Sequence, residues 1–337
     1  MAVQPKQKTR RFQAVVQPQS QTLSTPEELP RRRAGFPPRF TFELGDRIGD
    51  DFTVTGHLSA GRISELYQVW SAAYICALTC KILLPTFTSH TKEARGLKRE
   101  ARVLRRLAHP NIVHIFAQGS HEGREFLVQE YLHGPSLLEL IDSSENRQVH
   151  IPDAIKAIIH VCAALVHLHE LGYIHRDIKP ANVILRGGIP VLVDFDVTCR
   201  LKPGHKPRER IGTDPYMAPE QCVKEELSPA TDIYGVGAVL YELLTGRWPF
   251  EDELVNNPDR RTLADRYPQI RGSNPPTPRQ FNAQIVPGLE AVLMKCLVRQ
   301  PHQRFQSARE LAKALAGFLE GKDQLWPEAL ALKATMV

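Results

Sequence analysis

The chain has 337 residues, of which 42% are hydrophobic and 24% charged, and it carries a formal net charge of +6. These proportions are those of an ordinary globular protein, so they exclude a fibrous or wholly disordered chain. Residues 1–42 contain eight Lys or Arg and two Glu, which accounts for the whole net charge and leaves the rest neutral. A neutral body argues against a nucleic-acid cradle, because such surfaces concentrate positive charge.

The N-terminal segment differs in composition from the residues after it. It is rich in proline and glutamine with little apolar periodicity, so residues 1–46 are predicted to form a disordered basic arm. Beyond it, short runs rich in β-branched and aromatic residues predict antiparallel strands. The predicted elements are strands over Phe52–Leu58, Glu65–Trp70 and Tyr74–Leu84, a helix over Lys92–Leu107, and strands over Ile112–Ala117 and Glu125–Gln129.

From Gly134 the apolar residues follow helical spacing. Helices are predicted over Ile155–Leu171, Asp232–Leu244, Leu289–Val298 and Ala308–Phe318, with a small hairpin turning at Gly187-Gly188. This order predicts an α+β fold of two lobes that meet at a ligand-binding cleft. The predicted divisions are a small lobe of antiparallel sheet plus one helix over 47–129, a hinge over 130–134, a larger, mainly α-helical lobe over 135–319, and a tail over 320–337.

The cysteines indicate the cellular compartment, and the apolar runs indicate whether the chain could cross a membrane. The six cysteines form no CxxC pair, which predicts free thiols in a reducing, cytoplasmic compartment. The N-terminus lacks the apolar stretch of a secretory signal. No uncharged apolar run approaches the roughly 18–20 residues that a membrane span needs, so no span is predicted.

The densest chemical signal is the run HRDIKPAN from His175 to Asn182, followed by Asp194-Phe195 after an apolar strand. Phosphoryl transfer needs a carboxylate that orients the acceptor hydroxyl, oxygen ligands for Mg²⁺ and cations for the phosphates. With these motifs the chain, over about residues 50–319, resembles the eukaryotic-type serine/threonine protein kinases. The segments 212–221 and 245–250 are similar to those of bacterial members, and HRDIKPAN favours Ser/Thr over Tyr acceptors.

The resemblance implies a two-lobed protein-kinase fold that binds ATP and Mg²⁺, and it gives each matching residue a role. The catalytic set would be Asp177 as base, Lys179 on the γ-phosphate, Lys81 on the α- and β-phosphates, and Glu100 as the partner of Lys81, while Asn182 and Asp194 would hold Mg²⁺. The nucleotide would lie among Leu58, Ser59, Gly61, Ser64, Leu66, Thr79, Lys81, Gln129, Glu130, Leu132 and Ile184. Residues 212–220 would dock a polypeptide, with Glu220, Asp232 and Arg304 as structural anchors and Arg304 paired to Glu220.

Three features depart from the family pattern. The phosphate-covering loop has serine at Ser59 and Ser64 where the family has glycine, Thr79 replaces a small alanine, and Asp196 replaces the glycine of DFG. The polar groups at the four catalytic positions remain, so we expect an active kinase. A pseudokinase scaffold that binds partners with weak or no catalysis is the alternative, and a small-molecule phosphotransferase of the same fold is a third.

The segment between Thr198 and Thr213 bears on regulation, because it contains no Ser, Thr or Tyr that could carry an activating phosphate. Counting back from Thr213, Glu209 occupies the usual phosphosite of such kinases, and the residues predicted to be regulatory are Arg176, Glu209 and Thr213. We hypothesise that Glu209 pairs with Arg176 as a permanent stand-in for phosphate; the alternative is a solvated charge among neighbouring cations. The same cations favour acidic or already phosphorylated protein substrates.

Overall fold

The computed structural model describes residues 40–319, apart from residues 203, 205, 257 and 258. The predictions made for residues 1–39 and for the tail over 320–337 lie outside the described residues. The small lobe is a six-stranded antiparallel sheet in the order β1-β2-β3-β4-β6-β5. Its elements are β1 (Arg47–Ile48), β2 (Phe52–Ala60), β3 (Ser64–Ser71), β4 (Cys76–Leu83), α1 (Lys92–Leu104), β5 (Ile115–His121) and β6 (Arg124–Glu130).

Helix α1 begins where the sequence predicts, because the Thr91 side chain caps it by accepting a hydrogen bond from the backbone N–H of Ala94. It ends at Leu104, three residues before the predicted end. There the backbone N–H of Leu107 donates to Leu104 O at 3.0 Å, three residues back, so the chain tightens into a turn instead of continuing the α-helix. The buried stripe that includes Leu97 and Leu104 packs α1 into the core of the protein.

Residues 40–46 correct the predicted end of the disordered arm. Phe42 is buried in the core of the small lobe, and Phe40 packs against that core. Between them, the Thr41 hydroxyl donates to Glu65 Oε2, and the Thr41 backbone N–H donates to the Tyr67 hydroxyl at 3.0 Å. The prediction of disorder to residue 46 is therefore wrong for residues 40–46, which form a strap on the sheet.

The large lobe is built mainly from helices, as predicted, with α3, α5 and α9 packed together in its core. Its helices are α2 (Leu137–Ser143), α3 (Ile151–Glu170), α4 (Pro219–Val223), α5 (Pro229–Thr245), α6 (Glu251–Asn256), α7 (Leu263–Arg266), α8 (Pro287–Cys296) and α9 (Ala308–Ala316). Its strands are the pair β7 (Tyr173–Ile174) and β10 (Cys199–Arg200), and the predicted hairpin β8 (Val183–Arg186) and β9 (Ile189–Leu192).

Helix α3 is long and apolar enough to cross a membrane by length and composition alone, and among the described residues it is the one helix of that kind. Ten of its 20 residues, including Ile155, Ile158 and Leu165, are buried in the core of the large lobe. Its apolar character is accounted for by packing within the protein.

The connection between the lobes is held close to the β8–β9 hairpin. A Cβ atom at Gly134 would lie 2.0 Å from Leu185 O, so only glycine lets the backbone approach this closely. The Leu185 N–H also donates to Pro135 O at 2.9 Å, which joins the two segments directly.

Candidate active site

Three charged residues that are far apart in sequence meet on the small-lobe side of the cleft. Lys81 in β4 places its Nζ 3.0 Å from Glu100 Oε2 of α1 and 2.8 Å from Asp194 Oδ1. The backbone N–H of Phe195 donates to Glu100 Oε1 at 3.3 Å. Glu100 therefore links α1 both to the sheet and to the segment after β9.

The electrostatics of this trio follow from burial and from mutual pairing. Burial alone would lower the pKa of Lys81, but the carboxylates of Glu100 and Asp194 outweigh it and raise that pKa, so Lys81 is charged at neutral pH. Burial raises the pKa of Glu100 against the opposing effect of Lys81. Burial would also raise the pKa of Asp194, but the charge and hydrogen bond of Lys81 lower it, which keeps Asp194 ionised.

Across the cleft, the catalytic-loop residues surround the Asp177 carboxylate. Lys179 Nζ donates to Asp177 Oδ2 at 2.6 Å, and Asn182 Nδ2 donates to the same oxygen at 3.2 Å. The Thr213 hydroxyl donates to Asp177 Oδ1 at 2.7 Å and lies 3.1 Å from Lys179 Nζ. Thr213, predicted to be regulatory, thus contacts the predicted base directly. A Ser or Thr hydroxyl of a bound acceptor could approach Asp177 in the same way.

Asp232 fixes the backbone just before Asp177. Its Oδ1 accepts from the Arg176 N–H at 2.8 Å, while Oδ2 accepts from the His175 N–H at 2.9 Å and from His169 Nε2 at 2.8 Å. Arg176 has a φ of +75°, a conformation that costs a non-glycine residue energy unless its surroundings hold it. The buried Asp232 carboxylate supplies that hold.

Glu220 and Arg304 pair as predicted by the resemblance, at the base of the segment that would dock a polypeptide. Both side chains are almost fully buried, and two N–O distances of 2.8 Å make the contact bidentate. Arg304 also donates to three backbone carbonyls, and the Thr231 hydroxyl donates to Glu220. This pair therefore joins α4 to the loop before α9.

On the nucleotide side, strand register places several predicted residues in neighbouring positions. Ser59 is opposite Leu66, Leu66 is opposite Lys81, and Thr79 is opposite Gln129. Gly61 lies in the turn between β2 and β3, where its backbone N–H donates a hydrogen bond to Ser64 O at 2.9 Å. Ile184 lies in β8, Glu130 ends β6, Leu132 is half-buried in the hinge, and Leu58 is exposed in β2.

Two observations test whether ATP and a divalent cation fit these residues. Gln129 is buried, and its Oε1 lacks a hydrogen-bond partner among the described residues. This oxygen is therefore suited to accept a hydrogen bond from a bound nucleotide. Asn182 uses its Nδ2 to bond Asp177, which leaves Oδ1 as the atom available to a cation. Together with the ionised Asp194 it offers the oxygen ligands that hard cations prefer. The residues fit both groups.

The hypothesised direct pair between Glu209 and Arg176 is not formed, whereas the Glu209 side chain is 58% exposed, as the alternative of a solvated charge expects. Glu209 accepts two hydrogen bonds from Lys92 Nζ of α1, both at 2.9 Å, although both side chains are largely exposed. Arg176 Nη1 instead donates to Val197 O at 3.4 Å. The pKa of Glu209 is lowered chiefly by its hydrogen bond and charge pair with Lys92.

Sequence reasoning also missed two supporting residues. His169, which looks like a helix-face histidine in the sequence, bonds Asp232. Gln221 Nε2 donates to Arg176 O at 2.8 Å and to Ile211 O at 3.0 Å, which ties the catalytic loop to the segment beside Thr213. Neither contact has a local sequence signal, because each joins segments that only the fold brings together.

A small antiparallel sheet with one helix, a helical lobe, and a Lys–Glu–Asp trio facing an HRD loop define the protein kinase class. The protein kinase domain family matches residues 52–315, and the chain belongs to it. Family and fold class thus confirm the sequence prediction, and membership implies ATP, a divalent metal and protein substrates.

Bacterial serine/threonine kinases are among the curated relatives of the chain. The chain is 30% identical over 285 residues to a probable serine/threonine-protein kinase of Streptomyces coelicolor, covering 82% of this chain and 41% of that protein. It is 28% identical to the serine/threonine-protein kinase PrkC of Bacillus subtilis (80% and 40% covered) and 29% identical to PknB of Mycolicibacterium smegmatis (91% and 46%). The chain thus spans less than half the length of these relatives. The PknI kinase domain of Mycobacterium tuberculosis shares the fold, with a TM-score of 0.63 at 24% identity, covering 82% of this chain and 99% of that one.

Proposed function

We propose that this chain is a serine/threonine protein kinase that transfers the γ-phosphate of ATP to hydroxyl groups of protein substrates. The observation that carries the proposal is the complete pairing of the catalytic residues. Lys81 bridges Glu100 and Asp194 at 3.0 and 2.8 Å, and Asp177 is held by Lys179, with a Thr hydroxyl already 2.7 Å from its second oxygen.

In this proposal Asp177 Oδ1 accepts the hydrogen bond of the substrate hydroxyl and orients its oxygen toward the phosphorus. Lys179 and Lys81 supply positive charge for the phosphates, and Glu100 holds Lys81 in place. Asn182 and Asp194 would hold Mg²⁺, which when bound neutralises the phosphate charge that develops during transfer.

Acidic or already phosphorylated proteins are the acceptors we propose. The support is the charge of the segment after Asp196, which carries five exposed cations: Arg200, Lys202, Lys206, Arg208 and Arg210. Coulomb attraction from such a segment favours anionic acceptors and weakens with added salt. The cytoplasmic location stays a prediction.

Transfer of radiolabelled phosphate from ATP to casein, an acidic and phosphorylated protein, tests the proposal. The Asp177→Asn and Lys81→Met variants should each lose at least about 100-fold in rate. Asp153→Asn, at an exposed position on α3, is the matched control and should keep full activity. Wild-type transfer no faster than that of Asp177→Asn would instead support the pseudokinase scaffold, for which the substitutions Thr79 and Asp196 are the supporting observations.

A further inference from the structure

A cavity of about 1090 Å³ lies between α1 and the segment that follows Asp194-Phe195-Asp196. Lys81 and Lys92 on its wall are already paired, with Glu100 and Glu209 respectively. Six arginines of the lining have no carboxylate within 4.0 Å among the residues the structure describes: Arg99, Arg102, Arg106, Arg176, Arg200 and Arg208. Against these six cations, the remaining acids of the lining are Glu93 and Asp196.

Two buried polar atoms on the same wall also lack partners in the described part of the chain. The Thr198 side chain is 3% exposed, and its Oγ1 makes no hydrogen bond. Arg176 Nε is likewise buried and unbonded. Leaving a buried donor unsatisfied costs stability, so both atoms favour an acceptor-rich ligand in the cavity.

The activation segment, residues 197–212, cannot supply that ligand by its own phosphorylation. Beyond Thr198, which is buried, it has no hydroxyl side chain before Thr213, and Thr213 is engaged by Asp177. Its acidic residue, Glu209, is held by Lys92. A phosphate bound by the six arginines would therefore come from outside this segment.

We infer that this cavity binds a phosphoserine or phosphothreonine side chain of a separate polypeptide. A phosphate monoester carries a charge near −2 and three strong acceptor oxygens, which matches a cluster of arginines better than a single carboxylate does. The volume exceeds what one phosphate ion fills, so it leaves room for the flanking residues of a peptide. Bound there, the phosphate would bridge Arg99 and Arg102 of α1 to Arg176 and Arg200.

Such a bridge has a consequence that rests on the proposed kinase activity. Glu100 lies on α1 between Arg99 and Arg102, so a ligand that holds α1 against the activation segment also holds Glu100 against Lys81. The phosphopeptide is thus an activator of transfer to a second acceptor, rather than a competitor for the catalytic cleft.

Binding is tested on the full chain, pretreated with phosphatase, by fluorescence polarisation of a labelled nine-residue alanine–glycine peptide with one central phosphothreonine. We expect saturable binding that the unphosphorylated peptide does not show. The double variant Arg99→Ala/Arg102→Ala should weaken binding at least tenfold, whereas Arg105→Ala, an exposed arginine of the α1 C-terminus outside the lining, should not change it. Equal binding of both peptides, or an unchanged affinity in the double variant, would overturn the inference.

Two further experiments distinguish a phosphopeptide from free phosphate as the ligand and test whether the phosphopeptide activates phosphate transfer. Inorganic phosphate that displaces the peptide at or below the peptide's own concentration would show a site for the free ion, and would refute a peptide site. With dephosphorylated casein as the acceptor, so that the acceptor itself does not fill the cavity, the phosphopeptide should raise the wild-type rate and leave that of Arg99→Ala/Arg102→Ala unchanged; inhibition would refute activation. Because polarisation needs no ATP, the binding result stands even where phosphate transfer fails.

Discussion

The Asp232 carboxylate offers a sharp test of how the catalytic loop is held. Replacing it by asparagine keeps the shape of the side chain but removes its charge and turns one acceptor oxygen into an NH₂ donor. With the amide oxygen at the position of Oδ2, the bonds from His169 and His175 survive as neutral ones. The NH₂ group then faces the N–H of Arg176, and that bond is lost.

The magnitude follows from these three contacts. A hydrogen bond to a charged group contributes about 1.5–3 kcal/mol, and a neutral one about 0.5–1.5 kcal/mol. Two weakened bonds and one lost bond at a fully buried site give an expected destabilisation of about 3–5 kcal/mol, which is also the usual range for a disrupted buried ionic contact. Because Arg176 carries a strained φ of +75°, phosphate transfer should fall as well.

The loss of stability in Asp232→Asn should depend on pH. Burial would raise the pKa of Asp232, but the hydrogen bond and charge of His169 and the backbone N–H of Arg176 bring it below the usual value. A carboxylate with a lowered folded-state pKa stabilises the protein above its unfolded pKa, near 4, and loses that contribution as the pH falls through the folded value. The difference between the wild type and Asp232→Asn should therefore be present at about pH 5 and above and shrink as the pH falls below about 4.

Urea denaturation followed by circular dichroism across this pH range measures both effects. Asp153→Asn is the control, since Asp153 is exposed on α3 and its loss should change the free energy of unfolding by about 0.5 kcal/mol or less. An Asp232→Asn protein within about 1 kcal/mol of the wild type at pH 7 would refute the idea that this carboxylate holds the catalytic loop.

Three further predictions concern the small lobe and the hinge. Arg124→Met leaves the fully buried Glu65 without its cation, so urea denaturation should show a loss of about 3–5 kcal/mol in the free energy of unfolding. A smaller loss than that of Asp153→Asn would contradict this. Thr79→Ala removes a methyl and a hydroxyl where adenine would pack, so the KM for ATP should fall about fivefold, equivalent to about 1 kcal/mol; a rise would count against overpacking. Gly134→Ala places a Cβ 2.0 Å from Leu185 O, so thermal melts should show a destabilisation of about 1–3 kcal/mol. The increase in melting temperature on adding ATP should also be smaller than in the wild type. An unchanged melting temperature would show that the hinge is not close-packed.

Secondary structure was predictable where apolar spacing is local. The strand Glu65–Trp70 was found within one residue at each end, as β3, because buried and exposed side chains alternate along it. Helix α3 starts four residues earlier than predicted, at Ile151, since a proline is accommodated in the first turn and the apolar stripe begins only later.

The catalytic cluster and the contacts around it differ in how far sequence could reveal them. Asp177 and Asn182 belong to one short motif, whereas the pairing of Lys81 with Glu100 rested on resemblance to a family. The contact of Lys92 with Glu209 joins exposed residues 117 positions apart, and no pattern predicts it. A lysine in the first turn of α1 was the one hint, because the helix dipole disfavours a cation there unless another group compensates.

The strap over residues 40–46 shows that the folded region of this protein begins before the region that is similar to the family. The family match begins at Phe52, but Phe40 and Phe42 lie twelve and ten residues earlier and complete the apolar face of the sheet. A polypeptide trimmed to the family match would lose Thr41 as well, and the buried Glu65 would keep the Tyr67 hydroxyl as a donor but lose that of Thr41. Preparations of the catalytic part alone should therefore begin before residue 40, and aggregation of shorter fragments would reflect an uncovered sheet rather than a defective active site.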